Sequence, residues 1–507
     1  MTRVTISDKK ETLEAKNPGG LSRKPSRLKA SYDAAQTTPS NTKHWQAADH
    51  YSAAASNSES VRDVLRKRSR YEIANNGYAK GAIKNIVDDL IGRGPRPQIR
   101  SGDKITETDR QVEAAFNEFL KSISLTQKLR TLKKGELASG EAFGVFSRGL
   151  RRRAGRRGAF DSRGQVELGF HILEADQVQT PDLYEEIGGE VSGIEQDQYG
   201  NPIAYHVLKN HPGDNGISTV LFNEEYTRVP ADMVAHYFEP ERPGDARGVP
   251  PFTCVLEQFA YLRRLILATL DSSENIANIA GMLKTDGPAD SESSSEVDTL
   301  DTIDFERGQI MVLPDGWDYT QARAEQPTDS FPEFVKQILK SIARALNLPY
   351  SIFAGDSTEL NYSSGRLDHQ GYRKMIRNEQ EKLLEVVLEP LFWHWFDEAS
   401  RISGVLPEGA RSLDYRDGLV LRFFFDGSGH VDPVKEAKGT DLQIKMGTSS
   451  LPIEAAKNGH DWRDLVDHEA QVEKYRIEKG LAPKAGDKAQ GEAENQPPAI
   501  KEAQSND

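Results

Sequence analysis

Cysteine is almost missing: Cys254 is the only one in 507 residues, so no disulfide can close within the chain. That fits a protein made and kept in a reducing compartment. Long apolar runs are missing too. None approaches the roughly 18–20 residues that cross a bilayer. The first stretch of chain has no apolar core of the kind a secretory signal needs. A soluble, intracellular product with no membrane partner is expected. There is no excess of positive charge, since the net charge is −13. This argues against tight wrapping of nucleic acid, which depends on Lys and Arg displacing counterions from phosphates, but not against loose confinement. No Walker A loop, no Gly-x-Gly-x-x-Gly after a strand, no His-Glu-x-x-His and no Gly-x-Ser-x-Gly occurs, so no nucleotide, zinc-protease or hydrolase chemistry can be claimed.

What remains is long and polar. Hydrophobic residues make up 37% and charged residues 28%, a balance that implies polar tails or a large solvated surface. The length predicts two to four domains. Residues 1–30, rich in Lys, Ser, Gly and Pro, read as a flexible arm, and 478–507 as a disordered tail.

Between them the periodicity is legible. A helix is expected over 58–91, carrying Val61, Val64, Leu65, Tyr71 and Ile73 and then Ala79, Ala82, Ile83, Ile86, Val87 and Leu90, broken near Asn75-Asn76-Gly77. A helix at 106–122 follows. Residues 140–240 read as a β-rich region, with strands at 141–147, 167–173, 191–196, 203–208, 218–221 and 234–238. Helix returns over 250–284, with an acidic excursion at 286–306 and a strand at 308–314. A helix then starts at Ser330, where Ser330-Phe-Pro-Glu333 fits a capping box, and stops at Pro349. A loop at 355–365, a long helix at 366–400, a strand at 420–425 and a polar helical C-terminal region complete an α+β chain.

Few residues suggest chemistry. Cys254 stands without His or metal-ligand spacing and reads as structural. The His430–Asp432 pair has no further ligand nearby and reads as a turn or cap, so no metal is expected. Arg151, Arg152, Arg153, Arg156 and Arg157 form a cluster that could meet phosphates or an acidic neighbouring subunit. Lys336, Lys340 and Arg344 recur at i, i+4 and i+8 and line up as one basic stripe. Alone, such a stripe is an ordinary solvated face. The acidic stretch, with Asp290, Glu292, Glu296, Asp298 and Asp301, suits either a solvated loop or a docking site for a basic partner.

Taken in order, several local patterns resemble one family. They are Arg-Tyr-Glu-Ile-Ala-Asn-Asn-Gly-Tyr-Ala-Lys-Gly-Ala-Ile at 70–83, Gly-Glu-Ala-Phe at 140–143, Leu-Glu-Ala-Asp-Gln-Val at 173–178 and the segment 236–250 ending Asp-Ala-Arg-Gly-Val-Pro. Leu-Asn-Leu-Pro-Tyr-Ser at 346–351, Asn-Tyr-Ser-Ser-Gly-Arg at 361–366 and Asp-Pro-Val-Lys-Glu-Ala-Lys at 432–438 complete the set. The chain resembles lambda-type tailed-phage portal proteins.

That resemblance implies a portal-type fold: a wing at 31–249, stem helices at 250–284 and 317–349 flanking a clip at 285–316, a tunnel loop at 350–365, a long helix and strand of the wing at 366–429, and a crown-like region at 430–477. It implies a homo-oligomeric ring, twelve-membered, at one capsid vertex of the virion and assembled in the host cytoplasm. Double-stranded DNA passes through it without sequence specificity. The large terminase subunit, capsid or scaffold protein and head–tail connector proteins are the implied partners. The stripe with Asn361, Tyr362 and Ser363 would then face the channel, and the acidic stretch would meet the terminase. The chain would be no enzyme and need no cofactor. Two other readings stay open: another virion or connector protein, and a DNA-processing enzyme.

Overall fold

The computed structural model describes residues 43–102, 105–148, 166–180, 190–213, 226–278, 282–285, 317–320, 330–358, 361–426, 433–457 and 462–480. The chain divides into two units, 1–52 and 53–507. In the first, only residues 43–52 are described, a turn followed by irregular chain.

The expected helix over 58–91 is two helices, α1 (Glu59–Asn75) and α2 (Gly77–Ile91). The break falls at Asn76, whose side chain accepts from the Tyr78 and Ala79 amides and so caps α2. α2 buries its apolar face as its spacing predicts, with Ala79, Ala82, Ile83, Ile86, Val87 and Leu90 all inside. α1 does the reverse. Its buried residues are Arg62, Arg66, Ser69 and Glu72, while Val61, Val64 and Tyr71 stand 41%, 43% and 55% exposed. The reason lies in a buried ion network described below.

β1 (Arg96–Ser101) pairs antiparallel with a strand from the far end of the chain. α3 (Glu107–Ser122) opens on a capping box between Thr106 and Asp109 and buries Val112, Phe116, Phe119 and Leu120. A further helix, α4 (Leu125–Ser139), is absent from the sequence reading although Leu125, Leu129 and Leu132 are buried at helical spacing. Its inward face also carries Lys133 and Glu136, which blur the apolar pattern.

The β-rich region holds two sheets. β2 (Glu141–Ser147) lies between β3 (Gly169–Glu174) and β8 (Val234–Phe238), antiparallel to both. The second sheet runs β4 (Glu190–Val191), β5 (Ile194–Gln196), β6 (Pro202–Leu208), β7 (Tyr226–Pro230), all antiparallel. β7 was not expected, and the strand expected at 218–221 lies outside the described residues. Phe143, Val178, Ile194, Tyr205, Val207 and Val234 pack as a small core between the two sheets.

The expected helix over 250–284 is shorter. α5 (Leu256–Asn278) is a helix, but Met282–Thr285 is strand β9, paired antiparallel with β10 (Trp317–Thr320). Residues 317–320 are therefore strand, and the next described helix is α6 (Phe331–Ala345). Ser330 precedes it with its own backbone already in the right-handed helical region and forms no side-chain cap, so the expected capping box is not made. α6 ends before Pro349, because Asn347 turns into the left-handed region at φ 57° and the Leu348 amide reaches back to the Ala343 carbonyl.

Pro349 instead opens a short helix, α7 (Tyr350–Ala354). Within the stretch expected as a loop at 355–365, residues 355–358 and 361 are not helical, but Asn361 caps α8 (Tyr362–Leu383) through a reciprocal bond with Ser364, so that helix begins four residues before the expected 366. α8 continues through a single wide turn at Leu384–Leu388 into α9 (Glu389–Arg401). The wide turn precedes Pro390, which has no amide to donate into a regular ladder. β11 (Leu419–Phe424) closes on β1, and α10 (Pro433–Lys445), α11 (Leu451–Lys457) and α12 (Trp462–Glu478) follow.

The main core gathers α2, α3, α4, the β2 sheet, the start of α5, α6, α8 and α9. Its centre is aromatic: Phe116 meets Phe392 edge-on at 5.1 Å and Trp395 at 4.8 Å between ring centroids. Trp395→Ala leaves a large void there. It is expected to cost about 3–5 kcal/mol, read as a lowered midpoint of urea unfolding.

Candidate functional site

Two polar assemblies stand out, one buried and one at the surface of the α5–α6 pair. The buried one centres on Glu141, the first residue of β2 and fully enclosed. Gly140 and Gly248 bring two backbones together beside it. A Cβ on Gly140 would lie 2.3 Å from the Val249 carbonyl carbon, and one on Gly248 would lie 2.1 Å from the Gly140 oxygen. Gly140 also sits at φ 88°, where only glycine is at ease. This approach delivers Arg247, whose Nε donates to both Glu141 oxygens at 2.9 Å. The rest of its guanidinium donates to the carbonyls of Val178 at 3.0 Å, Ala175 at 3.1 Å and Ser192.

Arg66 of α1 closes the carboxylate from the other side and lies 3.7 Å from Asp176. The Gly248 amide donates to Glu141 at 3.1 Å, and His236 Nε2 lies 3.0 Å from it. The His236 ring is sandwiched between Phe143 at 4.3 Å and Phe238 at 4.2 Å. Arg62 donates to the Asn57 carbonyl, and the Asn57 amide to that of Arg247 at 3.0 Å. Here is the reason α1 is turned inside out: its charged side is needed at Glu141.

Burial alone would raise the Glu141 carboxyl. Arg247, the His236 bond and Arg66 outweigh it and hold the group well below the usual carboxylate range. His236 is lowered, chiefly by burial, against the pull of Glu141, and burial pushes the Tyr205 hydroxyl up to about 12.

A second cluster joins α4, β8 and α8. Lys133 Nζ lies 2.5 Å from Glu379 and 2.9 Å from Glu136, and Tyr237 donates to Glu379 at 3.0 Å.

Glu174, Asp176 and His211 place three ligand-type atoms within 4.8 Å of one another. Their chemistry does not suit a cation. His211 Nδ1 accepts from the Gly213 amide at 2.9 Å, so the ring proton sits on Nε2, the atom that faces the carboxylates. Arg70 already bonds both acids, Glu174 at 3.2 Å and Asp176 more closely. This is an ion-pair cluster rather than a metal centre.

At the surface, the stripe read from the sequence is one edge of α6. Lys336 and Lys340 lie 5.9 and 5.7 Å from the centroid of the Tyr350 ring, within reach of a cation–π attraction. Arg344, exposed, reaches Asn347 at 3.4 Å. The stripe therefore adjoins the 350–358 segment, where Asp356 accepts from Thr358. Tyr350 was not singled out in the sequence. Its part arises because Pro349 swings α7 back beside α6.

Asn361 spends its side chain on the α8 cap, accepting from the Ser364 amide at 2.8 Å, and Ser363 is exposed. The Tyr362 side chain lies outside the described residues. So do Arg151, Arg152, Arg153, Arg156, Arg157, the acidic residues Asp290, Glu292, Glu296, Asp298 and Asp301, and the His430–Asp432 pair. Cys254, read as structural, is exposed in a tight turn ahead of α5. Among the described residues, no helix is long and apolar enough to cross a membrane.

The chain is similar to several known proteins. A probable portal protein of Halomonas phage phiHAP-1 is 26% identical over 430 residues, covering 80% of this chain and 78% of that protein. Portal protein B of Escherichia phage lambda is 23% identical over 476 residues, covering 82% and 84%. In three dimensions, a chain in the neck of an empty GTA particle aligns over 82% of this chain and 93% of its own, with 15% identity and a TM-score of 0.43. The class that emerges is that of phage portal proteins. The profile described as "Phage portal protein, lambda family" matches residues 38–380, and the chain belongs to that family.

The Glu141 network makes two measurable statements. Glu141→Gln strands Arg66 and Arg247 without their counter-charge and is expected to cost about 3–5 kcal/mol. The sign of the pH dependence follows from the lowered values. A folded carboxyl held below its unfolded value of about 4.3 contributes stability that is complete above that pH and lost as pH falls through the folded value. His236, also lowered, brings a loss that begins below its unfolded value of about 6.5. Urea midpoints should therefore fall in two stages on acidification, and His236→Asn should shrink the first stage, to which His171, lowered by burial and by Lys128, also contributes.

Proposed function

We propose that this portal chain is one subunit of a closed ring at a single vertex of the virion, and that double-stranded DNA passes through its centre during packaging and ejection. The observation that carries the reading is the match to the lambda portal family over 38–380. The α5–α6 pair bounding the β9–β10 ladder supports it. The chain works structurally, as a conduit, and needs no catalytic group.

A net charge of −13 suits that task. An acidic wall repels phosphate and keeps DNA from sticking, while a few cations guide it. DNA is stiff over about 50 nm, so it threads as a rod without sequence readout. Lys336 and Lys340, beside Tyr350, and Arg344, beside Asn347, are the channel-facing guides, together with Asn361, Tyr362 and Ser363 at the start of α8. The acidic stretch between β9 and β10 is the docking surface for the large terminase subunit. The arginine cluster at 151–157 meets phosphate or a neighbouring subunit. Capsid or scaffold protein holds the ring's rim, and connector proteins attach later.

Three experiments test this. Purified full-length chain should form closed rings with a central hole in negative-stain images; a monodisperse monomer at micromolar concentration contradicts the reading. Replacing Lys336, Lys340 and Arg344 together by Ala should leave rings intact and reduce the DNA packaged per particle. Deleting 288–304 should likewise spare rings but block packaging, and normal packaging in that variant would remove the terminase assignment.

A further inference from the structure

From Arg264 onward, none of the described side chains of α5 is buried. Yet that half of the helix carries Ile266, Leu267 and Leu270, all exposed, with Leu267 at 52%. These residues are not scattered. Ile266 and Leu267 line an apolar groove of about 590 Å³ together with Tyr78 and Gly81 of α2 and Ile352 and Phe353 of α7. Its far wall is firmly built: Asn85 donates to the Ile352 carbonyl at 2.9 Å, and Tyr78 stacks on Phe353 at 5.9 Å.

A second groove of about 580 Å³ lies between Tyr261 and Leu265 of α5 and Phe334 and Ile338 of α6. At about 100° per residue, Tyr261 and Leu265 lie about 140° around α5 from the Ile266–Leu270 ridge. One helix pair thus carries two apolar surfaces on opposite flanks, and Phe334, 57% exposed, projects from the second.

Two further observations say what covers the first groove. Gly81 sits in the middle of α2, where glycine costs about 1 kcal/mol relative to Ala. A Cβ there would meet nothing within 4 Å, so the subunit itself gives no reason for it. A glycine lining a groove without an internal cause suits a close approach from another chain. Charges of opposite sign adjoin the two surfaces: Arg263 lines the first groove and Lys84 lies one turn from Gly81, whereas Glu257 lies one turn from Tyr261 and Glu333 is next to Phe334.

We propose that the occupant is a second copy of this chain, with Phe334 and the adjoining flank of α6 seated in the neighbour's Tyr78–Gly81–Leu267–Phe353 groove. The inference rests on the ring reading above and names the contact that closes the ring. Two different surfaces on opposite flanks are what a head-to-tail contact requires, since each copy gives one and receives with the other. On α6, Phe334 lies about 160° from Lys336 and about 120° from Lys340, so the contact leaves these two lysines uncovered.

The test uses the full chain with Cys254→Ser, followed by imaging and by non-reducing gels. Phe334→Cys combined with Leu267→Cys should give, on mild oxidation, a ladder of covalent oligomers up to the ring, and neither single cysteine should do so. Phe334→Asp and Leu267→Asp should each abolish rings without changing the circular dichroism of the subunit. Mixed together, these two variants retain one good knob and one good groove between them, and should yield heterodimers but no rings. If the parent chain forms rings while the double cysteine gives no ladder and the Asp variants still close, the contact is wrong and the ring reading stands. If the parent chain forms no rings at all, both fall.

Discussion

A carboxylate taken out of water costs several kcal/mol unless cations and donors replace the water it loses. Glu141 meets that condition only by collecting groups from distant stretches of chain: Arg66 from α1, His236 from β8, and Arg247 with the Gly248 amide from the segment leading to α5. Arg247 in turn fastens the carbonyls of Ala175, Val178 and Ser192, so the second sheet is held by the same guanidinium. The orientation of α1, the docking of the two sheets and the entry into α5 are therefore one electrostatic solution. None can shift without exposing an unpaired buried charge.

This explains which parts of the fold were legible in the sequence. Where burial is apolar, as in α2 and α3, periodicity located both helix and face, because the 3.6-residue repeat is a direct image of the core. Where burial is ionic, the same rule failed. Val61, Val64 and Tyr71 look like a core face and stand in solvent, while Arg62 and Arg66 look solvated and are enclosed. α4 escaped notice for a related reason, since Lys133 and Glu136 share its inward face with its leucines. The loop expected after α6 hid two helices, one opened by Pro349 and one capped by Asn361, both short-range signals that hydropathy does not register.

The site was legible to a different degree. Lys336, Lys340 and Arg344 were visible as a stripe because helical spacing alone aligns them, whereas Tyr350 joins them only through the turn at Asn347. The Glu141 network carries no local signature: Glu141 and Arg247 are separated by 106 positions. Nevertheless, four of the stretches behind the family resemblance, 70–83, 140–143, 173–178 and 236–250, contribute Arg70, Glu141, Asp176, His236 and Arg247 to this cluster and its edge. The motif pattern was the linear trace of a three-dimensional ion cluster, which is why no single piece looked like a site.

The pairing of β9 with β10 has a different kind of consequence. Thr285 stands opposite Trp317, and four residue pairs tie the two strands together. Residues 286–316 thus leave from and return to one place. A segment closed at its base in this way can lengthen, shorten or be exchanged in descent while the loop-closure cost changes only slowly with length. α5 and α6 would not register the change. The ladder is a seam in the lineage: on one side a body fixed by its buried charges, on the other a segment whose length that body does not dictate.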